Sequence, residues 1–566
     1  MNRIKERLSY IYEDQNIEKV YSHIEAAMEK IKAKELRQRK PAWDEEDVVL
    51  ITYGDQFNEE GKPTLQTLKK MYDAYLSDKF GIVHILPFYP YSSDDGFSVI
   101  DYRQVDPEMG DWNDIHELSG SARIMFDDVC NHISARSEWF QEYVKNNPKY
   151  ADYFVEVDPA EDLSKVTRPR ALPLLTPFRL ANGEEKHIWT TFSADQIDLN
   201  FANPDVLAEM IEVLLFYIEQ GAEYIRLDAI GFMWKEIGTT CIHHEKTHEI
   251  VKLFRDVVDN VAKGTVLITE TNVPHKDNVA YFGNGHDEAH MVYQFPLPPL
   301  VLYSIHNGNT RALTEWAKGL PAGNRDTTFY NFLASHDGIG VNPIRGIIPE
   351  EEIGAMVDAL KAEGALVNYK KTETGENIPY EINVTYFDAL NKKDDDDSLR
   401  IKRFLAAHSV LLTLPGVPAV YIQSILGSRN DYEGVKETGA NRSINRQKYG
   451  FAEIEHELQE SGSRRNRVFT ELTDIIKVRK AEALFHPNVP MQVEDFGEAV
   501  FAFSRTGKAG ESLLVLNNLT DGQVRLPLSG RFLNIVTQET MDFEDGLELG
   551  PYQFFWLKPI HEEEQQ

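Results

Sequence analysis

Cysteine is scarce. Only Cys130 and Cys241 occur in 566 residues, and no CxxC pair is present. Nothing therefore points to a disulfide framework or an oxidising compartment. Long apolar runs are missing too. The most apolar stretch, Val410 to Ile422, is too short to span a bilayer and is interrupted by Pro415 and Pro418. The opening Met-Asn-Arg-Ile-Lys-Glu-Arg is charged from the start and lacks the apolar core of a secretory signal. Positive charge is in deficit, with 59 Lys and Arg against 91 Asp and Glu, a net charge of −32 and a pI near 5.0. So acidic a chain is not built for non-specific binding to nucleic acid or anionic membranes. A cytoplasmic protein with neither partner is expected. Internal repeats are absent, and the only disordered segment expected is the end, Glu562 to Gln566.

What is present is a recurring pattern. Two amphipathic helices open the chain, with Ile4, Leu8, Ile11 and Tyr12, then Val20, Ile24, Met28 and Ile31 at helical spacing. After them, short apolar runs end in polar residues, each followed by a loop and a helical stretch. The runs are Val48 to Tyr53, Val83 to Phe88, Ile124 to Asp127, Tyr224 to Asp228, Val266 to Glu270, His290 to Tyr293, Phe332 to Asp337 and Pro418 to Tyr421. Eight such units predict an α/β chain built on a (β/α)8 TIM barrel, whose chemistry sits at the strand C-termini. A barrel of about 250 residues or more leaves room for further modules at this length.

The expected division is residues 1–45 as N-terminal helices, 46–132 as the first part of the barrel, 133–200 as an inserted domain B after strand three, 201–489 as the second part, and 490–566 as a C-terminal antiparallel β-domain. The insertion is too long for an ordinary βα loop. A second long excursion after strand seven, residues 338–397, ends in Lys392-Lys-Asp-Asp-Asp-Asp-Ser, read as a solvated charge run that starts a helix.

The run Tyr224-Ile-Arg-Leu-Asp228 organises the rest. On a strand buried on both faces, Arg226 and Asp228 point the same way. Burying that pair is costly unless each satisfies the other and something uses them. A structural ion pair is the plainer reading. Against it stand three acids closing strands four, five and seven, Asp228, Glu270 and Asp337. Two carboxylates facing across a barrel mouth suit double displacement at a sugar's anomeric carbon, one as nucleophile and the other as acid and then base. A third can grip the sugar hydroxyls and hold the ring distorted. Arg226 would keep Asp228 ionised, while Glu270 needs a raised pKa to act as acid.

At this point the sequence resembles the α-amylase-like glycoside hydrolases of family 13. The family's four short regions stand in order as Asp127-Asp-Val-Cys-Asn-His132, Tyr224-Ile-Arg-Leu-Asp-Ala229, Ile268-Thr-Glu-Thr-Asn272 and Leu333-Ala-Ser-His-Asp337, and Gln196-Ile-Asp-Leu-Asn200 looks like the fifth. The resemblance implies Asp228 as nucleophile, Glu270 as acid/base and Asp337 as transition-state stabiliser, with His132, Arg226 and His336 holding the sugar and Gln196 beside them. Within the family the likeness is to the sucrose-phosphorylase branch, on Asp94 to Tyr102, Leu227 to Glu236, His336 to Val341, Asn445-Arg446, Arg168-Pro-Arg170 and Tyr380 to Tyr386. By that resemblance Asp94 and Arg446 clamp the far end of a glucose, Phe97 and Phe192 stack on it, and Arg170 and Tyr380 lie where phosphate or acceptor binds.

The extra N-terminal helices, Ala334-Ser335 in place of Asp-Thr, and Glu381 in place of Gln are features of those branch members that act on glucosylglycerate. The implied partners are then small molecules, namely a glucoside, inorganic phosphate, glucose 1-phosphate and glycerate, in a monomer or homodimer. No cofactor and no metal are expected. A glycerate carboxylate needs paired donors and cations. Arg168, Arg170, Lys235, Lys370, Lys371 and Tyr380 are candidates, and Glu381 could bind the glycerate hydroxyl or orient one of the cations. Sucrose, sucrose 6'-phosphate, or hydrolysis and transglucosylation on the same fold remain the alternatives, along with an inactive barrel-shaped scaffold. His244-Glu-Lys-Thr-His248 matches a zinc-protease pattern but falls in the helix after strand four, and is read as a chance match.

Overall fold

The computed structural model describes residues 2–13, 17–36, 43–321, 323–324, 326–371 and 376–560, and of Lys371 the backbone only. The expected disordered end, Glu562 to Gln566, lies outside the described residues. Eight parallel strands close a barrel: β1 (Val49–Thr52), β2 (Ile82–Ile85), β3 (Arg123–Asp128), β4 (Ala222–Leu227), β5 (Val266–Thr269), β6 (Met291–Tyr293), β7 (Thr328–Phe332) and β8 (Val417–Tyr421). They neighbour one another in chain order, and β8 closes onto β1. Apart from the half-buried Arg123, every residue of these strands is buried, which is why they read as continuous apolar runs rather than alternating ones.

One strand differs from its reading. The seventh, expected over Phe332 to Asp337, runs over Thr328-Phe-Tyr-Asn-Phe332, and His336 and Asp337 lie in the loop beyond it. The β-branched and aromatic residues of that segment suit a pleated, buried ladder. The register explains the site. Asp127 pairs with Arg226 across β3 and β4, while Leu227 pairs with Thr269 across β4 and β5. The next residues along, Asp228 and Glu270, therefore emerge side by side at the barrel rim.

Two loop regions roof that rim. In residues 133–200, a hairpin of Leu175–Arg179 with Glu185–Trp189 stands beside a short pairing of His132–Ser134 with Gln196–Asp198. In residues 338–397, Ile339–Gly340, Asn377–Asn383 and Leu366–Lys371 form a three-stranded antiparallel sheet next to the helix Glu350–Ala362. The acidic run before Ser398 does start a helix: Asp396 caps Asp397–Thr413 by accepting the Leu399 N–H at 2.9 Å.

Away from the rim, α1 (Asn2–Tyr12) lies along α4 (Glu245–Val261) and α2 (Glu18–Lys32) along α3 (Pro204–Glu219). Ile4, Leu8, Ile11, Val20, Ile24, Met28 and Ile31 are buried there, each contributing about 1.5–3 kcal/mol. Arg7 adds ion pairs to Asp256 at 2.5 Å and Glu249 at 2.8 Å. The C-terminal unit is a six-stranded antiparallel sheet with its own apolar cluster around Phe532, Phe543 and Leu557. Its Trp556 donates to Ser409 at 2.9 Å, docking the sheet onto the helix before β8. No helix among the described residues is long and apolar enough to cross a membrane.

Candidate active site

The floor of the site is an ion network at the ends of β3, β4 and β5. Arg226, 2 % exposed, donates from one Nη to Asp127 and, at 2.8 Å, to Asp228. Its other Nη stands 3.9 Å from Glu270. Asp127 is held in turn by His84 at 2.7 Å. Burial pushes both Asp228 and Glu270 upward, and Arg226 opposes this in each. Asp228 has the direct guanidinium bond, whereas Glu270 has the longer contact and one backbone donor, the Ala229 N–H at 3.2 Å. A proton shared by this pair therefore resides on Glu270 and leaves Asp228 ionised. Ala229 sits at φ 51°, the left-handed region, a strained conformation for a residue with a Cβ, and it directs that N–H at the acid. The plainer reading of Arg226 and Asp228, a closed ion pair, does not describe this arrangement, because the same guanidinium faces three carboxylates, two of which, Asp228 and Glu270, open on a cavity.

That cavity, about 240 Å³, is lined by Asp94, Phe97, His132, Arg170, Phe192, Gln196, Arg226, Asp228, Glu270, His336, Asp337 and Tyr380, all named from sequence. His336 stacks on Phe97 with centroids 4.6 Å apart and planes 7° from parallel. His132 donates to the Phe97 carbonyl at 3.0 Å. Burial drives both imidazoles down, His132 to about 4 and His336 to about 3, so both are neutral donors and acceptors at neutral pH. Phe192 tilts against His132 at 5.3 Å. The wall formed by Phe97, Phe192 and the two imidazoles is flat and apolar enough to carry a pyranose face, and the carboxylates opposite can take its hydroxyls.

Two residues expected to bind substrate, Arg446 at the sugar and Glu381 at the acceptor, do not line this cavity. Arg446 donates to the His336 carbonyl at 2.9 Å and to Asp95 at 3.2 Å, so its carboxylate partner is Asp95 rather than Asp94. Glu381, 1 % exposed, turns onto Arg442, accepting from Nε at 3.1 Å and Nη2 at 2.7 Å. Both line an adjoining cavity that shares Asp94, Arg170, Tyr380 and Arg442 with the first.

Arg442 is the residue that sequence reading missed. It reaches Asp337 at 2.6 Å and stands 3.8 Å from Asp94. Burial works against ionisation of Asp337, but Arg442, His336, Arg226 and Arg446 together hold it well below the ordinary carboxylate range. Asp94 is lowered in the same way, with Arg170 its leading cation. The signal lay in Ala440-Asn-Arg-Ser-Ile-Asn-Arg446, where a second arginine stands four residues before the one chosen. Arg170 itself is 3.3 Å from Asp94 and packs over the Phe192 ring at 5.5 Å.

Lys235, offered as an acceptor cation, is committed elsewhere, buried against Asp198 at 2.7 Å and Asn131 at 2.8 Å. The side chain of Lys371 lies outside the described residues. The zinc-protease pattern is dispersed. His244 caps α4 by accepting the Lys246 N–H, and His248 pairs with Glu288 at 2.5 Å. Among the described residues no group of three metal-ligating side chains assembles.

Comparison with known proteins places this geometry. A model of the α-amylase catalytic domain matches residues 74–341. The chain is similar to glucosylglycerate phosphorylase from Escherichia coli strain K12, 51 % identical over 96 % of each chain. It is 48 % identical to glucosylglycerate phosphorylase from Allomeiothermus silvanus over 92 % of each. Among solved structures, sucrose 6F-phosphate phosphorylase from Thermoanaerobacter thermosaccharolyticum matches with a TM-score of 0.73 and 31 % identity, covering 84 % of this chain and 94 % of that one.

Proposed function

The chain belongs to the α-amylase family of glycoside hydrolases, and within it we propose that it is a phosphorylase, reversibly converting 2-O-α-D-glucosyl-D-glycerate and phosphate to α-D-glucose 1-phosphate and D-glycerate. The observation that carries the reading is the near full-length likeness to glucosylglycerate phosphorylases, joined to three carboxylates on one cavity. In the first half-reaction an Asp228 oxygen attacks the anomeric carbon as its bond to the glycerate oxygen breaks, and Glu270 gives that oxygen its proton. The product is a β-glucosyl-enzyme and free glycerate. In the second, a phosphate oxygen attacks the same carbon, Glu270 recovers a proton from phosphate, and Asp228 leaves. Two inversions return the α configuration.

Asp337, ionised by its cations, takes the sugar hydroxyls, with His132 and His336 supplying neutral donors on either side. Asp94 and Gln196 hold the far end of the ring. Arg170 and Tyr380 face the arriving phosphate, so the anion competes with Asp94 for Arg170. Every group in these roles comes from one chain, and the working unit is read as a monomer or homodimer. Cys130 and Cys241 both stay free, which fits the cytoplasm.

The test is to incubate the enzyme with glucosylglycerate and phosphate and follow the product by proton NMR. Phosphate-dependent release of α-glucose 1-phosphate is expected. Free glucose at a rate independent of phosphate, or a β product, would contradict the reading.

A further inference from the structure

The cations around the cavity are engaged, with one exception. Arg226, Arg442 and Arg170 each hold a carboxylate, and Arg168 donates to the Leu172 carbonyl. Arg345 is fixed three ways, by Glu350, by the Pro379 carbonyl at 2.9 Å and by Asn342 at 3.3 Å. Lys370, half-buried on the strand Leu366–Lys371, lines the same cavity, and its side chain makes no hydrogen bond or ion pair with any described residue. Burial and the neighbouring Arg345 both push its pKa down, and Glu350, already paired with Arg345, only partly opposes them. In a chain carrying −32, a lysine set beside an arginine on an active-site wall with no acid of its own is a destabilised charge. An anion in the cavity would reverse that cost.

We propose that Lys370, backed by Arg345, is the subsite for the anionic group of the acceptor, receiving the glycerate carboxylate in one half-reaction and phosphate in the other. The glycerate half rests on the proposed function; the phosphate half needs only that the enzyme is a phosphorylase. The chemistry suits sequential occupation. Each anion is bound only while the other is absent, because glycerate must leave the glucosyl-enzyme before phosphate can attack it. A single ammonium with three rotatable donors serves both a planar carboxylate and a tetrahedral phosphate, where a rigid guanidinium fork favours fixed geometries. Arg345, tied to the Pro379 carbonyl, holds the positive potential in place within the excursion.

Lys370→Ala and Lys370→Arg variants test this, with folding checked by thermal melting. Four rates are compared: phosphorolysis against phosphate concentration and, with α-glucosyl fluoride as a donor that carries no phosphate, transfer to D-glycerate, transfer to neutral glycerol, and hydrolysis of the glucosyl-enzyme. In Lys370→Ala the KM values for phosphate and glycerate are expected to rise at least about tenfold, while glycerol transfer and hydrolysis stay within about twofold. Lys370→Arg should recover part of both. Equal losses with glycerol and glycerate, or unchanged KM for both anions, would overturn the proposal. A rise for phosphate alone would overturn the shared subsite. A wild-type enzyme that ignores glycerate would instead overturn the proposed function, and the phosphate arm would still decide the role of Lys370.

Discussion

The floor and the mouth of the site are built by opposite rules. At the floor, Asp127, Arg226, Asp228 and Glu270 stand at or just beyond the ends of barrel strands, fixed by ladder register, the first three buried and Glu270 half-buried. At the mouth, Arg168, Arg170, Lys370 and Tyr380 come from two long excursions, and Arg170 pairs with Asp94 across loops distant in sequence. The floor carries chemistry common to sugars of one configuration. The mouth decides which acceptor leaves and which enters. A single strand slip would destroy the first, whereas the second can be retuned one side chain at a time.

The sharpest way to break the floor is Asp228→Asn, which removes the proposed nucleophile. Turnover with every donor should drop by at least about 10⁴-fold, since no glucosyl-enzyme can form. Glu270→Gln should cost less and selectively. A loss of about 10²–10⁴-fold is expected with glucosylglycerate, and much of the first half-reaction should return with α-glucosyl fluoride, whose leaving group needs no proton. Equal losses with both donors would contradict the acid role.

The joint between the two regions is Arg442, held by Glu381 from the mouth side and by Asp337 at the floor. Glu381→Gln weakens one end of that link. We expect kcat to fall by roughly tenfold. An unchanged kcat would show that Glu381 does not position Arg442.

The smallest effect separates the regions by pH. His132 and His336 are buried with folded-state pKa values of about 4 and about 3. The unfolded chain takes up protons below about pH 6.5 while these folded imidazoles do not, so stability is full above that pH and falls as pH drops. Between pH 6 and 4.5 each should contribute a slope approaching 1.4 kcal/mol per pH unit. Denaturant melts at pH 7 and pH 5 should show the loss, and His132→Gln should flatten the slope.

This contrast also explains what could be read from the sequence. The eight strands, the three acids and most of the sugar subsite were legible, because a buried parallel strand is an unbroken apolar run that stops where its polar residue emerges. β7 was misplaced toward its C-terminal motif, since Leu333-Ala-Ser is as apolar as a short strand end yet makes no ladder. Pairings at the mouth were not legible. Nothing in the spacing of Asp94, Asp95, Arg442 and Arg446 says that Arg446 takes Asp95, nor that Arg442 reaches Asp337. Asp94 and Asp95 both adopt φ above 50°, a backbone turn that sets Asp94 on the first cavity and leaves Asp95 to Arg446, and no residue type there announces it. Lys235 looked like a free cation and is buried on Asp198, because loop 133–200 brings that acid from thirty-seven residues upstream.

The central claim is that a mouth of cations on an acidic chain selects an anionic acceptor. It is tested most directly by reverse phosphorolysis from α-glucose 1-phosphate with D-glycerate, fructose and fructose 6-phosphate in parallel, reading kcat/KM from phosphate release. D-glycerate should exceed either sugar by at least about tenfold, which asks only about 1.4 kcal/mol of differential transition-state binding. If fructose or fructose 6-phosphate gives the higher kcat/KM, the acceptor assignment is wrong, while the barrel and its three acids stand.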